Sequence, residues 1–161
     1  MYHIRPSQPQ DLDTIMQIFD VARLKMRAAG NDVQWVNGYP QRALVEQDIT
    51  RGESFVCCNA AGEVVATFAF IVGNDPTYDY IEGAWLNNEP YGTIHRLGSL
   101  EGVHGVFHAV VEWAKGRIRY VRLDTHEKNT PMLRLAEHEG FVYCGVIYVA
   151  DGTPRRAFQN R

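Results

Sequence analysis

The segment from Thr93 to Phe141 constrains this chain most, because it alternates strand, glycine-bearing loop, helix, strand and helix in one run. Thr93 to Gly98 is rich in β-branched and apolar residues and reads as a strand. Gly102 and Gly105 then bracket Val103 and His104. At that point Val103, Val106, Phe107, Val110 and Ala114 take up the i, i+3, i+4, i+7 spacing of one apolar helix face. Glycine at a helix entry lets backbone approach a ligand closely, and the unpaired N–H groups of a first helical turn favour anions. A phosphate suits such a turn. Arg119 to Thr125 reads as the next strand. Thr130-Pro131, a capping threonine followed by proline in the first turn, opens a helix that buries Met132, Leu135 and Ala136 and stops at Gly140.

The flanking sequence extends this pattern. Tyr2 to Arg5 reads as a short strand ended by Pro6, and Leu12, Ile15, Met16, Phe19 and Ala22 supply the buried stripe of a helix that stops near Gly30. Asn31 to Tyr39 is a loop carrying Trp35 and Tyr39, and Pro40 opens a second helix over Gln41 to Thr50. Phe55 to Cys58 and Val64 to Val72 form strands joined by the turn Asn59-Ala60-Ala61-Gly62. Gly73 to Tyr91 is long, polar and aromatic, and reads either as a substrate-side flap or as a surface excursion with packed aromatics. Phe141 to Val149 and Arg155 to Gln159 pair as a final hairpin through Ala150-Asp151-Gly152-Thr153.

At 161 residues the chain reads as a single domain, 1–161, long enough to bury a core. A net charge of −3 proposes neither nucleic acid nor an anionic membrane as partner, and no run approaches the length of a membrane span. The opening Met-Tyr-His-Ile-Arg-Pro lacks the apolar core of a signal peptide. Cys57, Cys58 and Cys144 are odd in number, and the adjacent pair points to opposite faces of its strand. Reduced thiols in a cytoplasmic protein are the simplest account.

The central motif resembles the GNAT (GCN5-related N-acetyltransferase) superfamily, in which Arg or Gln, two residues, Gly, one residue and Gly or Ala link a strand to a helix. Ile4-Arg5-Pro6 followed by Asp11-Leu12 resembles the usual GNAT opening, and Asn129, a short helix and Glu139-Gly140-Phe141 resemble its close. The resemblance spans almost the whole chain. It implies an α/β fold: a mixed, twisted sheet with helices on both faces. Three departures stand out. Gly102 occupies the place of the Arg or Gln, Phe107 that of the last Gly or Ala, and Ala136 that of a tyrosine that in many members protonates the departing thiolate.

The resemblance implies acetyl-coenzyme A as cofactor. Its diphosphate would rest on backbone N–H groups of the turn formed by Gly102, Val103, His104, Gly105, Val106, Phe107 and His108, with His104 and His108 as further donors. Leu97 and Ser99 would bond the pantetheine arm, like a strand added in the groove between two splayed strands, and Asn129 would bond the cofactor after the second of them. Trp35 and Tyr39 either cover the core edge or wall the acceptor site. His126, following Asp124 at the end of its strand, and His95, on the strand face shared with Thr93 and Leu97, are the candidate bases. His104 and His108 sit four apart as metal ligands can, but no Glu follows His104, and no metal is expected.

The resemblance implies an N-acetyltransferase acting by direct attack of a primary amine, on a small molecule or a peptide. The alternative is a coenzyme A-binding sensor or interaction module that has lost turnover. Dimerisation is common in the family, and the exposed final hairpin permits a homodimer.

Overall fold

In the computed structural model, which describes residues 1–161, the chain runs as β1 (His3–Pro6), α1 (Leu12–Ala28), α2 (Arg42–Thr50), β2 (Ser54–Cys58), β3 (Val64–Val72), β4 (Glu82–Gly83), β5 (Tyr91–Ser99), α3 (Val106–Lys115), β6 (Tyr120–Thr125), α4 (Thr130–His138), β7 (Phe141–Tyr148) and β8 (Pro154–Asn160). The strands form one mixed sheet in the order β1-β2-β3-β5-β6-β8-β7-β4. Only β5 and β6 run parallel, and α3 is the crossover that a parallel pair needs.

Helices cover both faces, as expected. Leu12, Ile15, Phe19 and Ala22 of α1 and Val45 of α2 pack on Val56 and Cys58. On the other face Val106, Phe107, Val110, Val111 and Ala114 of α3, with Ala136 of α4, pack on Cys57, Ala66, Phe68, Phe70, Ile94, Val121 and Leu123. The adjacent cysteines therefore do face opposite ways, and all three thiols are free and buried. β3 is buried along most of its length because it is covered on both sides, which is why it reads as an unbroken apolar run.

The segment from Gly73 to Tyr91 packs its aromatics, as the excursion reading expects, and does so through short regular elements. It forms a 3₁₀ turn, Pro76–Tyr78, and the two-residue β4, which pairs with β7. Tyr78 is fully buried in a third cluster with Tyr91, Ile147 and Ala157. Trp85 Nε1 donates to the Tyr78 carbonyl at 3.0 Å, and the Arg122 guanidinium lies over the Trp85 and Tyr91 rings at 4.1 and 3.8 Å. These contacts pack the segment against the outer end of β5 and β6.

Candidate active site

The site begins with one extra residue in β5. Thr67 pairs with Gly98 and Ala69 with His95, so Arg96 and Leu97 oppose Phe68 alone, and Arg96 takes a left-handed φ of 52°. An extra residue bends a strand and shifts its alternation by one. The expected shared face for His95 and Leu97 is thereby corrected. Leu97 packs with Ile94 on the α3 side, while His95 stays with Tyr91 on the opposite side. Arg96 is held by Asp48 of α2 through two bonds of 2.9 Å, and its remaining nitrogen donates to the Tyr39 hydroxyl at 3.3 Å. This buried two-bond pair clamps the bulge to α2.

Just before the bulge the sheet opens. β5 and β6 pair only from Tyr91↔Tyr120 to Thr93↔Arg122, and the strands then diverge. Two cavities of about 650 and 550 Å³ occupy the split, and they share Met26, Leu97, Phe107, Asn129 and Met132 as walls. Together they make one channel from the glycine turn to the segment after β3.

The turn lies at one end. Gly102 and Gly105 have φ of 72° and 76°, and a Cβ on either would meet nothing within 4 Å, so their open side faces space rather than protein. Gly105 caps α3 without a side-chain bond, and the N–H groups of Val106, Phe107 and His108 reach no protein acceptor. The Tyr2 hydroxyl donates to the His104 carbonyl and ties the turn to the N-terminal strand. Val103 packs against the core, and His104 and His108 line the channel from exposed positions. His108 Nδ1 lies 2.8 Å from Glu139. Lys25, unmarked in the sequence reading, reaches across from α1 and donates to Ser99 Oγ at 3.1 Å and the Leu100 carbonyl at 3.3 Å. It adds a cation to this end. Uncapped amides, an open glycine cradle and a lysine fit a diphosphate.

At the other end His95 Nε2 lies 3.0 Å from Asp75 Oδ2. Asp75 also accepts from Thr77 N and Oγ1 at 3.0 and 2.8 Å, and its own N–H donates to the Tyr91 hydroxyl at 2.8 Å. Burial pushes the Asp75 carboxyl up, but the bonds from His95 and Thr77 outweigh it and hold it at about 2. The carboxylate is therefore ionised near neutrality and only accepts. The hydrogen of this contact therefore sits on His95 Nε2, and Nδ1 makes no hydrogen bond within the protein. His95 follows Thr93 by two and Asp124 follows its partner Arg122 by two, so the two side chains stand across the split on the same side of the sheet. Between them, Tyr78 donates its hydroxyl to Asp124 Oδ2 at 2.7 Å. Burial and the Asp124 charge push the Tyr78 phenol well above its ordinary range, so it remains a donor.

The other expected residues divide. Trp35 is mostly buried against Phe19 and Tyr39, and both Trp35 and Tyr39 line the cavity that also holds His95 and Asp75. Asn129 lines both cavities, but its Oδ1 accepts from Met132 N and caps α4. Leu97 and Ser99 line the channel. His126 lies outside both walls: its Nδ1 accepts from Lys128 N at 3.0 Å, and burial and Arg155 lower its pKa. Ala136 is fully buried in the core and offers the channel no polar atom.

A sheet split beside a bulge and crossed by a glycine-led helix is the arrangement that the resemblance above implies. An acetyltransferase structure of the GNAT family from Streptococcus agalactiae superposes with a TM-score of 0.89 at 32% identity, covering 99% of this chain and 94% of that one. A GNAT acetyltransferase from Listeria monocytogenes gives 0.72 at 17% identity, covering 99% and 94%. The NatC complex bound to Gag peptide and CoA gives 0.60 at 12% identity, covering 99% and 97%. No protein-family model and no curated protein sequence matches the chain. The chain belongs to the GNAT family of acetyltransferases.

Proposed function

We propose that this protein is an N-acetyltransferase that moves the acetyl group of acetyl-coenzyme A onto a primary amine by direct attack. The observation that carries this reading is the continuous channel between diverging β5 and β6, with uncapped amides at one end and the His95–Asp75 pair at the other. Backbone N–H groups of Val106, Phe107 and His108, with Lys25, hold the diphosphate. The strand edge beyond Thr93, free of a partner on that side, offers peptide groups at Leu97 and Ser99 to the pantetheine amides.

When bound, acetyl-coenzyme A supplies a thioester carbonyl: the amine nitrogen bonds to its carbon, the carbon–sulfur bond breaks, and sulfur takes the bonding pair. His95 Nδ1 accepts the proton that the attacking nitrogen loses, while Asp75 fixes the ring through Nε2. A thiolate is a good leaving group because an ordinary thiol ionises near pH 8.5, so departure proceeds without the tyrosine that Ala136 lacks. An acyl-cysteine route is disfavoured, since no cysteine lines either cavity and burial pushes the Cys57 thiol up to about 12. Aligning amine and thioester in one channel supplies much of the remaining rate.

The rival reading, a coenzyme A-binding module without turnover, rests on Ala136 being sealed in the core. Incubating the protein with acetyl-coenzyme A and a panel of primary amines, and following free thiol, separates the two. Amine-dependent thiol release is expected. Binding of acetyl-coenzyme A by calorimetry with no release over any amine establishes the module instead.

A further inference from the structure

Six aspartate, histidine and arginine side chains line the acceptor end of the channel: Asp75, His95, Arg96, Asp124, Asp151 and Arg155. Most are already partnered. Asp75 holds His95, and Arg96 is neutralised by Asp48. Asp151 Oδ1 closes its own turn by accepting from Thr153 N and Oγ1. Two remain. Asp124 has a neutral phenol as its side-chain donor, and no ion pair forms at it. Arg155 donates only through one terminal nitrogen, to Thr153 Oγ1 at 3.0 Å and the Pro154 carbonyl at 2.8 Å. Its Nε and second terminal nitrogen make no bond within the protein. That edge of a guanidinium is the fork that grips a carboxylate through two parallel bonds.

The two leftover charges are opposite in sign and share one wall. Asp124 pairs with Ala157 across β6 and β8, and Arg155 precedes Ala157 by two residues on the same sheet face. Such diagonal neighbours stand roughly 7 Å apart at Cβ, within reach of long side chains. They nevertheless form no ion pair with each other. Asp124 lies deeper, across the split from His95, while Arg155 rises from the β7–β8 hairpin at the rim. A guest whose amine sits near Asp124 and His95 and whose anionic group reaches the rim completes both.

The geometry points to a small zwitterionic acceptor, an α-amino acid or close analogue, with Asp124 receiving the ammonium and Arg155 the carboxylate. This inference rests on the acetyltransferase reading above and narrows it: amines without a neighbouring anion and extended peptides are poorer acceptors. Arg155 is here a specificity determinant that never touches the reacting atoms.

The test compares α-amino acids with their amides and their decarboxylated amines, using acetyl-coenzyme A and free-thiol release. Amino acids are expected to exceed both partners at least tenfold in kcat/KM. In Arg155→Gln the ratio of amino acid to amide falls toward one, and Arg155→Lys restores part of it because it returns the charge without the fork. An amide or decarboxylated amine turned over as well as its amino acid by the unaltered protein overturns the inference, as does a preference that survives Arg155→Gln. Should no amine release thiol, the acetyltransferase reading falls, and the zwitterion site is then read from thermal shifts with coenzyme A present. A shift by amino acids and none by their amides supports the site, while equal or absent shifts overturn it.

Discussion

His95 and Asp75 are twenty residues apart, and in the proposed reaction the aspartate orients the imidazole that takes the proton. Removing the imidazole while keeping the bond separates chemistry from structure. His95→Gln is expected to lower kcat by about 10²–10⁴-fold, the usual worth of a general base. The KM for acetyl-coenzyme A should change little, because the diphosphate end is untouched. Asp75→Asn keeps the size but loses the obligate acceptor, so either ring tautomer becomes tolerable. A smaller fall in kcat is expected there, on the order of tenfold, measured with the same amine. Asp75 also titrates with folding. Its folded value of about 2 lies below that of an unfolded aspartate near 3.9, so the unfolded chain takes up the proton first. The stabilisation, on the order of 2 kcal/mol, is present above about pH 5 and is lost as pH falls from about 4 to 2. Urea unfolding of the native protein and Asp75→Asn at pH 7 and pH 3 checks this: the gap between them should shrink to about half at pH 3.

At the scale of elements, most strands and helices were legible because their apolar spacing answers to faces that are in fact covered. The α3 stripe and the unbroken run of β3 are examples. The bulge at Arg96 was not. Nothing in Thr-Ile-His-Arg-Leu-Gly-Ser distinguishes regular alternation from alternation with one extra residue, and what imposes the left-handed φ is an ion pair to a helix 48 residues earlier. For the same reason the sequence pattern puts His95 on the face of Leu97, whereas the two side chains lie on opposite faces. Lys25 was missed because it reads as an ordinary solvated helix residue, and Asp75 was legible only as one of several acids in a long loop. The clamp can be tested directly. Asp48→Ala strands the Arg96 guanidinium in a buried site, which costs about 3–5 kcal/mol by urea unfolding. Asp48→Ala with Arg96→Met, removing both charges, should recover a large part of that loss. If the single variant is as stable as the native protein, the pair does not hold the bulge.

Across the whole molecule the sheet is two four-stranded halves, joined by only three paired positions between β5 and β6. α3 bridges them, since its buried face touches Phe68 and Phe70 on one half and Val121 and Leu123 on the other. A cofactor lying in the split would touch both halves and the start of that bridging helix, so its binding should add to global stability instead of tightening one loop. For a ligand that binds only the folded chain, a concentration 100 times Kd adds about 2.7 kcal/mol. For a protein of this size that corresponds to roughly 5–10 °C in Tm. Acetyl-coenzyme A is therefore expected to raise Tm by that amount in a concentration-dependent manner. Gly105→Val separates the cradle from unspecific effects. A β-branched residue at a φ of 76° is strained and projects a side chain into the open side of the turn, where the diphosphate would sit. Its own Tm should drop modestly, and its response to acetyl-coenzyme A should vanish. A full ligand shift retained in Gly105→Val would move the phosphate site away from α3. No shift in the folded native protein would remove acetyl-coenzyme A from the account altogether.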